Sequence, residues 1–370
     1  MILKNMKRYG MLAAWFVGLA GSAHAQDDVY HVTPQNMLFI QPCYQGWEDQ
    51  YGVQFSETSV PLFLSYKIQP NTNVTLRTGM AYISNNKILN FNGNVDTQIG
   101  LSHHFNNENV VIHGGINLPT GKEGLTEQEF MSASVLSLDQ FKFRMPSLGQ
   151  GLNITVGIGW AGVLSDVLAV GLGGSYQSKG GYSPLAELEE EYDPGSEVTI
   201  TGGLDYQIDA TAILSADILY SMYNSDKVGS TVVFEAGNKF GLNVKLAKQM
   251  GFNLLKLAVK YRTRAKNYMA YGGVLYPEVE KSSPQLIELE GSFRFSVQSR
   301  FFVALLGDIR WYEKTSIHDG MMLYGAGAAP EFVINDDVSI PLRLEYYFVR
   351  DTRGQTMTGL EVSAGLLYLF

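Results

Sequence analysis

From about residue 37 to its end the chain alternates between apolar and polar positions. In the last segment Leu360, Val362, Ala364, Leu366, Tyr368 and Phe370 share one parity, and Gly359, Glu361, Ser363 and Gly365 share the other. Just before it, Ile340, Leu342, Leu344, Tyr346 and Phe348 alternate with Arg343, Glu345 and Tyr347. Leu255, Leu257, Val259 and Tyr261 alternate with Lys256, Ala258, Lys260 and Arg262, and Phe301, Val303, Leu305, Ile309 and Trp311 are set against Ala304, Asp308 and Arg310. A strand throws successive side chains to opposite faces, so each segment reads as a strand with one apolar and one polar face.

A soluble sandwich would share that alternation, and the spacing of the breaks decides between the two. Short connections fall at 69–73, 106–108, 164–167, 208–211, 249–253, 297–300 and 335–338. Longer, more polar ones fall between them at 48–54, 84–94, 120–151, 179–197, 224–231, 266–284, 314–320 and 351–355. Tight turns at one rim and long loops at the other are the signature of an outer-membrane barrel. The expected fold is all-β, a transmembrane antiparallel up-and-down β-barrel. Sixteen strands is the preferred count and fourteen the alternative, with both termini on the short-turn side. In hydrocarbon an open edge would leave backbone groups unpaired, so the sheet must close. Tyr66, Phe105, Trp160, Tyr206, Phe332, Tyr368 and Phe370 lie near strand ends, where aromatic girdles meet lipid headgroups.

Composition places this barrel in a compartment. Lys4, Lys7 and Arg8, the apolar stretch 11–20 and Ala23-His24-Ala25 read as a signal peptide over 1–25, cleaved after Ala25. Residues 26–370 are then the barrel, in the outer membrane. No apolar run long enough for a helical span follows. The net charge of −9 argues against a nucleic-acid partner, and Cys43, the single cysteine, permits no internal disulfide. The expected partners are outer-membrane lipid and, through the terminal strand ending in Phe370, the barrel assembly machinery.

Little in the chain reads as covalent chemistry. Gly157-Ile158-Gly159-Trp160-Ala161-Gly162 matches a dinucleotide-binding pattern letter for letter, but it lies inside an alternating strand with no helix to follow. Residues 118–122 lack the spacing and the hydroxyl of a phosphate loop. His31, His103, His104, His113 and His318 show neither a nucleophile partner nor metal-ligand spacing. Glu187, Glu189, Glu190, Glu191 and Asp193 read as a solvated charge run in an outer loop. No catalytic, cofactor-binding or metal residue is assigned, and no enzymatic activity is expected.

The inward parity is more informative. It should carry Lys67, Arg77, Asp205, Asp217, Lys239 and Glu361, and above all a candidate lumen lining of Lys245, Lys256, Lys260, Arg262, Glu288, Glu290, Arg294, Asp308, Arg310, Arg343 and Glu345. Opposite charges on neighbouring strands favour a braced inner wall, and the basic members alone would make a pore strip. Within the longest loop, 127–143 has few helix breakers and predicts a short amphipathic helix. Its Phe130, Met131, Leu136 and Phe141 are candidates for capping the mouth.

Two stretches carry a resemblance. Ile116-Asn117-Leu118-Pro119-Thr120-Gly121 closes a strand before the long loop. Met145-Pro146-Ser147-Leu148-Gly149-Gln150-Gly151 then leads to a hairpin ending Gln177-Ser178-Lys179-Gly180-Gly181-Tyr182-Ser183-Pro184. This resembles the middle of the FadL-type outer-membrane transporters of fatty acids and aromatic hydrocarbons, and related barrels associated with aromatic-compound degradation. It implies a barrel that passes small molecules, hydrophobic or aromatic ones included. The family's Asn-Pro-Ala start is missing, and no functional residue transfers by motif. The leading expectation is a passive channel; the alternatives are a structural or loop-displaying barrel and, last, a barrel enzyme.

Overall fold

The alternation becomes one continuous ladder of antiparallel pairs. The computed structural model describes residues 36–105, 109–138, 140–316 and 319–370; the expected signal peptide, the connection expected at 106–108, His31 and His318 lie outside them. The wall begins with β1 (Met37–Ile40 and Cys43–Asp49), β2 (Gln54–Gln69), β3 (Thr72–Asn85), β4 (Phe91–Asn94 and Thr97–Phe105) and β5 (Val110–Leu118). It continues with β6 (Asn153–Ser165), β7 (Leu168–Lys179), β8 (Glu197–Asp209), β9 (Ala212–Tyr223), β10 (Lys239–Met250) and β11 (Asn253–Arg264). β12 (Leu286–Gln298), β13 (Phe301–Lys314), β14 (Asp319–Val333), β15 (Val338–Asp351) and β16 (Thr356–Ala364 and Leu366–Leu369) complete it.

Each strand pairs with its sequence neighbour, and β16 returns to β1 through Leu369↔Met37 and Gly359↔Trp47. The result is a closed barrel of sixteen strands. Both described ends meet at the short-turn rim, where the Phe370 amide donates to the Asn36 carbonyl at 3.0 Å. Three strands are interrupted, and in β1 the cause is Pro42, which has no amide to donate. Hydrogen bonding bridges that gap, from Gln41 to the Pro61 carbonyl and from Ala364 to that of Pro42.

The outward parity is apolar and exposed. Ile154, Val156, Ile158 and Trp160 on β6 are typical, as are Leu344 and Tyr346 on β15. That is the surface a lipid bilayer requires, since a Lys or Arg there would cost about 2–4 kcal/mol at the midplane. Phe370 stacks on Tyr66 (6.3 Å) and Tyr368 (5.4 Å), and Phe301 on Phe332 (4.6 Å), all close to the short-turn rim. No described helix is long and apolar enough to cross a membrane. The glycine-rich stretch 157–162 sits wholly inside β6, with no helix following it.

At the other rim the loops build structure of their own. Tyr192–Asp193, Ser225–Val228, Thr231–Glu235, Tyr268–Tyr271 and Val274–Pro277 form a separate five-stranded sheet. Glu187, Glu189, Glu190 and Glu191 lie exposed beside it. The main hydrophobic cluster lies inside the barrel, where the loop between β5 and β6 packs against the inner wall.

Candidate channel constriction

The loop 119–152 does not stay at the rim. Asp96, in the interruption of β4, holds both of its legs. One carboxylate oxygen accepts from the Gly121 amide (2.7 Å), the other from the Gln150 amide (2.6 Å) and the Asn117 side chain (2.9 Å). Two backbone donors and one amide that burial would leave unsatisfied are thus answered by a single charge. Lys122 and Gly149 tie the legs to each other through an amide–carbonyl bond of 3.1 Å.

Between the legs, α1 (Glu127–Leu136) starts on a reciprocal cap: Thr126 accepts from the Glu129 amide, and the Glu129 carboxylate accepts from the Thr126 amide. Lys122 donates to Glu129 at 2.7 Å and lies over the Phe91 ring, and that hydrogen bond holds the Glu129 carboxyl below the usual carboxylate range. The helix is shorter than the 127–143 the sequence predicts. It ends at Leu136, and the chain then turns and extends across the lumen. Of the four candidate capping residues, Leu136 and Phe141 are buried, whereas Phe130 and Met131 stay exposed. The reason is geometric: α1 docks through Ser132, which donates to the Leu89 carbonyl at 3.1 Å, and Leu136, so the side bearing Phe130 and Met131 turns away.

Residues 140–145 form the innermost part. Phe141, Lys142, Phe143, Arg144 and Met145 alternate aromatic or apolar with basic, and the two sets meet different surroundings. Phe141 packs on Trp47 (5.0 Å) and Phe55 (4.6 Å), Phe143 lies at 6.0 Å from Phe55, and Trp47 stacks on Tyr347 at 5.3 Å. The Phe141 carbonyl accepts from the buried Gln45 side chain, and the Met145 amide donates to the Glu57 carboxylate at 3.1 Å. Apolar burial and satisfied backbone groups therefore fix the segment to β1, β2 and β15.

The basic residues reach elsewhere. Lys142 is ion-paired to Glu288 and, at 3.1 Å, to Glu290, both on β12. Arg144 pairs with Glu361 on β16. Around these contacts the wall is braced: Arg310 pairs with Glu288 (3.0 Å) and Asp308 and donates to the Gln140 carbonyl (3.3 Å), while Lys260 pairs with Glu290 (2.9 Å). Arg343 donates to Glu345 (2.9 Å) and lies at 3.5 Å from Glu361, which also accepts from the Tyr347 hydroxyl (3.2 Å). Lys142 is the one non-glycine residue among those described with a positive φ, at 48°. That conformation costs about 1–2 kcal/mol for an L-residue, and the two carboxylates together outweigh it, since losing one partner of a buried pair costs about 3–5 kcal/mol.

All eleven candidate lining residues lie on the inner face, but not in one place. Glu288, Glu290, Asp308 and Arg310 gather around Lys142, and Arg343 and Glu345 gather near Arg144. Arg294 pairs with Glu331 (2.9 Å) and lies over the Phe302 ring (3.8 Å), one side of the braced region. Lys245, Lys256 and Arg262 belong to a different half of the wall. There, β4–β8 turn Gly100, Gly115, Gly159, Gly171, Gly173 and Gly203 inward. Every inward side chain of β10 and β11 keeps solvent exposure, whereas Cys43, Gln45, Trp47, Glu57 and Ser59 across the barrel are buried. The loop thus fills one half of the lumen and leaves the other.

Lys142, Arg144, Asp96, Gln45 and Glu57 escape sequence reading. The available signal was the alternation of 141–145, which crosses the end of the helix expected over 127–143: two basic residues at strand spacing, facing a wall rich in carboxylates. Elsewhere, His103 lies 2.8 Å from the Thr72 hydroxyl and edge-on to Phe105, and His113 packs against Gly157. Among the described residues, no group of three His, Cys, Asp or Glu side chains converges as a metal site would need.

No family model and no curated protein matches the chain. Among solved structures it is similar to a mutant of the monoaromatic hydrocarbon channel TodX, at 10% identity and a TM-score of 0.45 over 92% of this chain and 91% of that one. It is also similar to Pseudomonas aeruginosa OpdL (9%, 0.46, over 90% and 98%) and to a bacterial polysaccharide outer membrane secretin (9%, 0.45, over 91% and 99%). The first is a FadL-type barrel, the kind that the two central stretches resemble. The likeness is loose, and the functional reading rests on this chain's own geometry.

Proposed function

We propose that this protein is a passive outer-membrane channel for small water-soluble molecules, narrowed by the infolded loop 119–152. The observation that carries the reading is the division of the lumen. Apolar loop residues are spent on a buried core with Trp47, Phe55 and Tyr347, while the inward faces of β10 and β11 are largely polar and none of their side chains is buried. A structural barrel would have no need to keep one side of its interior clear of bulk. Passage of hydrophobic or aromatic cargo would need an apolar lining on the open side, and Asn243, Lys245, Lys256 and Lys260 supply the opposite. The signal peptide expected over 1–25 and the apolar belt support an outer-membrane location with the long loops outside.

Single-channel recording of the refolded chain in a planar bilayer tests this. Stable, stepwise conductance is the expected result. A correctly folded barrel, verified by heat-modifiable gel migration, that stays silent would overturn the reading.

A further inference from the structure

Where the outer ends of β7, β8 and β9 meet the separate five-stranded sheet, the molecule holds a cavity of about 430 Å³ that the channel reading does not use. Its barrel side comes from β7. Leu172, Tyr176 and Ser178 share the outward parity of that strand, with Leu172 63% and Tyr176 46% exposed, so the apolar belt ends there and the polar rim begins. The other side is one face of the outer sheet. Asp193 pairs in register with Lys227, Lys227 with Val232, and Ser225 with Glu235, which puts these side chains on a common face. Tyr192 and Asp226 take the opposite face, where they hydrogen-bond to each other. The corner between sheet and wall is fixed: the Gly195 amide donates to Asp226 (2.7 Å) and the Asn224 amide to the Ser196 carbonyl (2.9 Å). At Gly195 an added Cβ would lie 1.9 Å from the Asn224 carbonyl oxygen, so this corner needs a glycine.

The lining is polar and electrically balanced. Asp193 and Glu235 stand against Lys179 and Lys227, so a simple ion finds no net charge there. Two of these groups are engaged: Lys179 lies 3.4 Å from Glu197, and Glu235 accepts from the Ser225 hydroxyl at 2.7 Å. Asp193 and Lys227 line the cavity from neighbouring strands, and among the described residues neither side chain forms an ion pair or hydrogen bond. They offer an acceptor and a donor, and the Ser178 and Ser196 hydroxyls and the Asn224 amide offer both roles. Tyr176 adds an exposed aromatic face. A neutral ligand with many hydroxyls and an apolar C–H face answers this set, and a sugar ring is that ligand: its hydroxyls match the charged and amide groups, and its C–H face packs on the aromatic ring. A hydrocarbon would strip water from Asp193 and Lys227 and give nothing back. The volume falls within the range of about 300–1,000 Å³ usual for small-molecule sites.

We infer that this cavity binds a saccharide unit at the outer surface, with Tyr176 under the ring and Asp193 and Lys227 holding its hydroxyls. The site adds to the channel reading and does not depend on it. It sits at the level where lipid-facing side chains give way to polar ones, which favours the headgroup sugars of an outer-leaflet glycolipid as the source. A free oligosaccharide would be held by the same chemistry.

Saturation-transfer NMR and titration calorimetry on the refolded full chain in detergent test this with three compounds: the delipidated, dephosphorylated core oligosaccharide of lipopolysaccharide, maltohexaose, and inorganic phosphate. The core oligosaccharide should bind, with transfer strongest to its ring C–H protons. Asp193→Asn and Lys227→Gln should each weaken binding at least tenfold in barrels whose heat-modifiable gel migration is native, and Tyr176→Leu, which keeps the outward position apolar, should abolish the preference for C–H protons. Glu189→Gln, an exposed charge of the same loop outside the cavity, should leave binding unchanged. Binding of maltohexaose in place of the core oligosaccharide, weakened by the same substitutions, would uphold the site and make a free glycan its ligand. Binding of neither sugar, binding unaltered by D193N and K227Q, or binding of phosphate alone would overturn it.

Discussion

The two halves of the inner wall solve opposite problems with the same strand geometry. From β13 round to β3, large and charged inward side chains are buried under the loop: Tyr312, Leu323, Glu345, Gln45 and Glu57 all lie at 2% exposure or less. From β4 to β11 glycines, small hydroxyls and cations are frequent among them, and no inward side chain of β10 or β11 is buried. Carboxylates occur on both halves, with Asp205 and Asp217 on the open one. Glu288, Glu290 and Glu361 stand where Lys142 and Arg144 arrive, so on that half a charge is a fastening. On β11 the cations outnumber the acids of their own inward face, which are none. A barrel interior can thus be a protein core on one side and a solvent path on the other, and the boundary is drawn by where the loop finds partners.

Breaking the fastening should have the largest effect. Lys142→Gln leaves Glu288 and Glu290 without the loop's cation, and about 3–5 kcal/mol is the usual cost of orphaning a buried pair. The loop should loosen, visible as flickering current and a lower unfolding temperature. A smaller contrast concerns backbone space. At Gly359, on the covered half, an added Cβ would lie 2.6 Å from the Trp47 ring; at Gly241, on the open half, its nearest neighbour is the Leu219 Cβ at 3.8 Å. Gly359→Ala should destabilise by about 1–3 kcal/mol, the usual cost of overpacking, and Gly241→Ala should be near neutral in the same denaturation series. Least of all, Phe130→Ser and Met131→Ser should shift stability by no more than about 0.5 kcal/mol, as exposed sites do, whereas Leu136→Ser should cost several times that.

The wall was legible because its cause is periodic. Lipid outside and water or packed polar groups inside force a two-residue repeat, so strand number, closure and the inward parity of residues such as Glu288 and Arg310 follow from counting. The two signals that set the loop's place are not periodic. Asp96 looked like any polar residue near a turn, yet it holds Gly121 and Gln150 at once. Lys142 and Arg144 find partners on β12 and β16, far along the chain, and no local pattern names them. The helix predicted as far as Phe143 stops at Leu136 for the same reason: 137–143 has no strong breaker, and tertiary contacts with Trp47 and Phe55 decide its course. Phe130 and Met131 were grouped with Leu136 and Phe141 by composition, and only docking separates them.

Cysteine accessibility under voltage tests the division of the lumen most directly. In a Cys43→Ser background, Asn243→Cys places a thiol on the inner face of β10, level with Lys260 and Glu288. Ala81→Cys places one beneath the loop, at a position only 2% exposed. A bulky, water-soluble methanethiosulfonate reagent should sharply reduce single-channel current through the Asn243→Cys protein and leave that of Ala81→Cys unchanged. Loss of current at position 81 with none at 243 would mean that solutes pass where the loop is placed here, and the account would be wrong.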